Sequence, residues 1–253
     1  MSYAERAFDD VLSTVEFHVG ERAHITVHGP YGVVAMIGLA VAFLIGVFYA
    51  LDALHGERRD RSVLFWKSLP VSDAVAVLAK ASIPLLVLPI VVMVVSIGAQ
   101  LVMALVTALT FLVSDRANLE LMMSHVAPFQ LAVGTAYTVL VIALWHAPIY
   151  AWLLLVSARV RRGALLWAAI PLLAIGGIER ILFGSYDFFA LMYYLLLGWT
   201  GRAYVSADSP ETELLASLAP GQALATPSLW IGLAFAAACV VAAIYARRRA
   251  EPI

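Results

Sequence analysis

The chain has 253 residues, of which 63% are hydrophobic and only 13% charged. Its formal net charge is −1, and the charges gather in a few clusters instead of spreading over amphipathic faces; that pattern excludes an ordinary soluble domain and points to an all-α polytopic membrane protein. A single cysteine, Cys239, rules out an intrachain disulfide and a cysteine-based metal site.

Residues 3–19 carry apolar side chains at helical spacing, with Glu5, Asp9, Asp10 and Glu16 largely on other faces, so an amphipathic helix is expected ahead of the first span. The opening MSYAERAFDD has no basic stretch followed by an apolar core; no cleavable signal peptide is expected, and insertion relies on the spans. His18, His24 and His28 lie here with Glu16 and Glu21, but Ile25, Thr26 and Val27 favour strand over helix. Solvated histidines are therefore expected in place of a metal site.

Five apolar segments follow, at 31–54, 81–113, 127–156, 163–183 and 228–247. Most reach the roughly 20 residues that a helix rising about 1.5 Å per residue needs to cross a hydrocarbon core of about 30 Å. The second is longer than the core requires, so tilt, protrusion or kinks at Pro84, Pro89 and Gly98 are expected to absorb the excess. Small residues recur every four positions at Gly38, Ala42, Gly46 and Ala50, and again at Ala234, Ala238, Ala242 and Ala246. Such rows suit either helix packing within the chain or a subunit seam. Residues 186–201 are apolar over too short a stretch to cross, and are read as a re-entrant or interfacial helix leading into an external loop at 202–227.

The basic residues set the orientation. Eleven of the 16 Lys and Arg residues lie at 56–80, 157–162 and 247–253, all of which fall on one side when five spans alternate. The positive-inside rule makes that side cytoplasmic, the carboxyl terminus with it, and leaves the stretch 1–29 external. A multi-pass membrane protein is the expectation.

Few residues offer chemistry. GxxxxGK[ST], HExxH and GxSxG are all absent, so neither nucleotide binding by a P-loop nor the commonest hydrolytic reactions are expected of this chain. His146 lies near mid-membrane beside Pro148 and Gln100 lies within the second span; each is either a pathway group or, as favoured here, a polar side chain bonded to a neighbouring helix. Glu179 and Arg180 are adjacent near the outer boundary, where capping or pairing is the expected role. A stand-alone intramembrane enzyme or channel using His146, Glu179 and Gln100 is the alternative function.

The densest mixture of residue types is GERRDRSVLFWKSLPVSDAV at 56–75. Glu57, Arg58, Arg59, Asp60 and Arg61 run into the aromatics Phe65 and Trp66, then Lys67 and Leu69; the chain breaks at Pro70 and restarts with Ser72 or Asp73 able to cap a second helix. Aromatics flanked by arginines are enriched at protein contact centres, and equally suit an interfacial tryptophan with snorkelling basic residues.

The stretch LDALHGERRDRSVLFWKSLPVSDAVAVLAK closely resembles the first cytoplasmic loop of permease subunits of type 2 ATP-binding-cassette exporters of bacteria. APIYAWLLLVSARVRR and the carboxyl end RRRAEPI extend the resemblance over roughly residues 30–253. The resemblance implies a bacterial inner membrane, and that 56–80 carries a coupling helix docking on a cytoplasmic ATPase subunit. It also implies a second permease chain, identical or related, and re-entrant helices before the last span, as at 186–201. ATP and Mg²⁺ would be bound by the partner ATPase and no cofactor by this chain, whose role would be non-catalytic and without nucleic-acid partners. Glu57, Arg58, Arg59, Asp60, Arg61 and Lys67 would be charge partners, Phe65, Trp66 and Leu69 packing knobs, and Pro70 with Asp73 shape setters. The family's first span and its elbow helix have no counterpart here, which the resemblance reads as a truncated start or a five-span variant.

Overall fold

The computed structural model describes residues 30–60, 71–114, 128–160, 162–198 and 220–249. The amphipathic stretch with its histidines, most of the external loop, and Arg61, Phe65, Trp66, Lys67, Leu69 and Pro70 lie outside the described residues. In chain order the helices are α1 (Pro30–Asp52), α2 (His55–Arg59), α3 (Asp73–Ser82), a π-helical turn (Ile83–Val87), α4 (Leu88–Ser114), α5 (Pro128–Arg159), α6 (Ala164–Phe183), α7 (Asp187–Leu197), α8 (Pro220–Ala225) and α9 (Pro227–Arg248). No strand occurs among the described residues. Among the described residues five helical stretches are long and apolar enough to cross a membrane, and the chain is an all-α polytopic membrane protein.

The spans arrange themselves around α5. Its most apolar window is 61% buried, against 11–28% for the other four, because α1, α4 and α9 all pack on it. Leu154, Ala50, Val77 and Ala243 are fully enclosed at the core of this contact. The outward faces carry Phe48, Val94, Leu105, Trp167, Ile181 and Ile231, exposed apolar side chains that hydrocarbon would cover.

The row of small residues on α1 serves packing within the chain. A Cβ on Gly46 would lie 2.8 Å from the Tyr150 ring, so glycine there is what lets α1 approach α5, whereas one on Gly38 would make only ordinary contact with Val92 and Ser96 of α4. On α9 the expected row is not the buried one: Ala234 and Ala238 are exposed, whereas Leu229, Ala236, Cys239, Ala243 and Arg247 face inward.

α3, the π turn and α4 form one continuous helix, so 73–80 is helical and runs without a break into the second apolar stretch. Ser72, in extended conformation, caps it by accepting from Val75 N–H at 3.3 Å. Pro84 has no N–H to offer and its ring crowds the preceding turn; the helix widens there, and Leu88 N–H reaches back five residues to Ile83. Of the expected sites of distortion, Pro84 is where the helical ladder changes. Within the expected external loop, 220–225 forms the short helix α8.

Candidate functional site

The basic end of the bundle is where the most charged groups converge. After a break at Ala53 and Leu54, α1 is followed by α2, whose preceding residue Leu54 supplies no side-chain cap. The cap comes instead from α5: the fully buried Ser157 hydroxyl accepts from Leu54 N–H at 3.0 Å and from His55 N–H at 2.9 Å. One residue on, the Ala158 carbonyl accepts from Arg58 at 3.0 Å, so a buried guanidinium sits at the carboxyl end of α5, where the helix dipole favours positive charge.

Beside them an ion-pair network joins three elements. Glu57 of α2 lies 3.2 Å from Lys80 of α3 and 3.3 Å from Arg247 of α9, and Arg247 also bonds Asp73 at the start of α3. Lys80 donates in addition to the Ala53 carbonyl. The side chains of Arg247 and Glu57 are only 5% and 10% exposed, and the four charges cancel. Arg59 and Asp60 face outward and pair with each other at 3.3 Å, with Asp52 near Arg59.

Of the sequence candidates at this end, Glu57, Arg58 and Asp73 are thus turned into the bundle, while Arg59 and Asp60 remain at its surface. Arg247 and Lys80 complete the network, and sequence reasoning had used them only as topology signals. The legible clue for Arg247 was its position one turn beyond Ala243 and two beyond Cys239, on the buried stripe of α9.

The remaining candidates lie elsewhere. Gln100 and Thr135 bond each other at 2.9 Å between α4 and α5. Glu179 holds the start of α7: one carboxylate oxygen accepts from Ser185 Oγ at 2.6 Å and Asp187 N–H at 2.9 Å, the other from Phe188 N–H at 2.9 Å. Its neighbour Arg180 donates to the Gly184 carbonyl and lies 4.2 Å from the centre of the Tyr186 ring. The far end of α7 is held by α5, where Trp145 donates to Tyr194 O at 3.2 Å and His146 Nε2 to Leu196 O at 3.1 Å. The carbonyl that His146 binds is therefore on a neighbouring helix, α7.

These anchors fix how α7 lies. Measured by helical rise from the turn joining α5 to α6, His146 and Glu179 stand at similar heights, about 20 and 23 Å, while α7 is about 16 Å long. A helix tied at both ends to points of nearly equal height runs across the bundle, not along it. His146, Glu179 and Gln100 do not share a site.

Among the described residues no group of three or more His, Cys, Asp or Glu side chains is placed to hold a metal ion. Comparison with protein-family models, with curated proteins and with solved structures finds no match to this chain.

Proposed function

We propose that the chain is the transmembrane permease subunit of an ATP-driven exporter of the ATP-binding-cassette type, moving a substrate across a bacterial inner membrane. The basic end then faces the cytoplasm, where the 56–80 segment meets a separate ATPase subunit carrying ATP and Mg²⁺; a second permease chain completes the membrane part. The sequence resemblance of 56–80 suggests the partner, and one structural observation supports the role. Both arms of that segment are anchored inside the bundle, α2 through Arg58 and Ser157 to α5, and α2 and α3 together through Glu57, Lys80 and Asp73 to Arg247 of α9.

A coupling element must pass displacement on without bending first. Buried ion pairs with fixed geometry resist separation, because each charge left alone would be desolvated without a partner. A push on the loop is thereby delivered to α5 and α9 together, the most extensively packed pair of spans.

Co-expression with any ABC-type ATPase found encoded beside the chain's own gene tests the reading. Trp66→Ala and Arg61→Glu are expected to reduce co-purification of the ATPase. Arg247→Gln is expected to leave association intact and to abolish the change in ATP turnover that the permease imposes. Unchanged association and unchanged turnover in all three variants would refute the proposal.

A further inference from the structure

Charge at the basic end does not balance on its surface. Inside the bundle Glu57 and Asp73 are matched by Lys80 and Arg247; outside it Asp52 and Asp60 both face Arg59, and His55 approaches Asp52 at 3.8 Å. Every carboxylate described at this end is therefore taken. Arg159, Arg162, Arg248 and Arg249 are exposed, and none of them meets a carboxylate among the described residues.

These four cations stand where spans end. Arg159 and Arg162 flank the turn from α5 to α6, and Arg248 and Arg249 close α9. An exposed ring follows on each side: Trp167, about 8 Å of helical rise from Arg162, and Tyr245, about 5 Å from Arg248. Both rings are 57% exposed, and the Arg248 guanidinium lies 5.5 Å from the centre of the Tyr245 ring, which turns it to the same outward side. Deeper in the spans the outward faces continue with exposed Leu166, Ile170 and Leu173 on α6 and Val241 on α9. No further charged residue occurs on α6 before Glu179, or on α9 back to its first residue.

Each face thus runs in one order: unpaired cation, aromatic ring, apolar surface. A soluble anion would engage the arginines alone, and an acidic protein segment would leave the apolar stretch beyond the rings without a partner. A phospholipid engages all three, with its phosphate at the guanidinium groups, its ester region at the level of the rings and its acyl chains along the spans. A zwitterionic headgroup would bring a further positive charge among arginines that no carboxylate neutralises, whereas an anionic one supplies the missing counter-charge. We infer that this end of the bundle binds anionic phospholipid at two places, with the phosphate held by Arg248 and Arg249 beside Tyr245 on α9, and by Arg159 and Arg162 near Trp167 at the start of α6.

The surface needs a bilayer and no ATPase, so it is tested on the purified chain in phosphatidylcholine nanodiscs. The probes are trace phosphatidylglycerol and trace phosphatidylcholine, each carrying a diazirine near the glycerol end of one acyl chain. Phosphatidylglycerol is expected to label peptides spanning 162–170 and 238–248 about 25-fold more than phosphatidylcholine, fivefold for each of two arginines. Raising the salt concentration should shrink that preference. Arg248→Gln with Arg249→Gln should abolish it at 238–248 and leave it at 162–170; Arg159→Gln with Arg162→Gln should do the reverse, so each pair controls for the folding of the other. Equal labelling by the two lipids, a preference that neither pair of substitutions moves, or the same preference at the opposite end of α6, 175–183, would overturn the assignment. Displacement of phosphatidylglycerol by inorganic phosphate would overturn it too, by making the ligand a soluble anion. Absence of any ATPase association, with the lipid preference intact, would count against the exporter reading alone.

Discussion

At each end of the bundle a short helix that does not span is fastened to longer ones, and the two fastenings use opposite chemistry. α2 is gripped mainly through charges: Glu57 faces two cations, and Arg58 is buried against α5. α7 is gripped mainly through its backbone, with Glu179 taking its first N–H groups while Trp145 and His146 take its last carbonyls. Buried opposite charges hold until they are separated far enough for water to enter, and then fail together. Hydrogen bonds at the ends of a helix can be exchanged for water one at a time. The first arrangement suits transmission of force, the second a helix that can be released at one end.

The comparison can be broken most strongly at Arg247. Arg247→Met leaves Glu57 and Asp73 short of a partner, and a loss of about 3–5 kcal/mol is expected, as for other buried pairs deprived of one member. It should appear as a lowered unfolding midpoint in detergent, partly restored by adding Asp73→Asn. Ser157→Ala, at the same end but removing only a neutral acceptor from two amides, should cost about 1–3 kcal/mol in the same measurement.

At the other end Glu179→Ala frees Ser185 Oγ and the Asp187 and Phe188 amides. The expected result is faster hydrogen exchange at 185–190 with little change in the global midpoint, because the spans do not depend on this contact. Equal global effects of Arg247→Met and Glu179→Ala would erase the distinction between the ends. The smallest effect is expected between α4 and α5: Gln100→Leu removes the interhelical hydrogen bond to Thr135, worth about 0.6 kcal/mol in a membrane setting.

The spans were legible because apolar length and charge placement are local properties: α1, α6 and α9 lie within a few residues of the expected boundaries. The fastenings were not, for an identifiable reason. Sequence rules look for the cap of a helix in the residue just before it, yet neither Leu54 nor Tyr186 caps its helix. The caps arrive from Ser157, about a hundred positions away, and from Glu179 across a turn. The ion pairs are equally distant in sequence, and charge at the ends of spans reads first as topology. Glu179 was legible as a capping residue because a carboxylate at the edge of a span needs donors; that they belong to α7 required the fold. His146 was legible as a helix-pairing group, with its partner likewise supplied by the fold.

The π turn at Ile83–Val87 carries a last implication, about phase. One added residue in a helix advances the side chains beyond it by about 100°. Asp73 and Lys80 face Arg247 and Glu57, and Ser96 and Gln100 face the interior, only because that extra residue is counted between them. Deleting a single residue there would give a more regular helix whose two halves could not both be docked. Over this stretch the chain therefore tolerates substitution far better than a change in length.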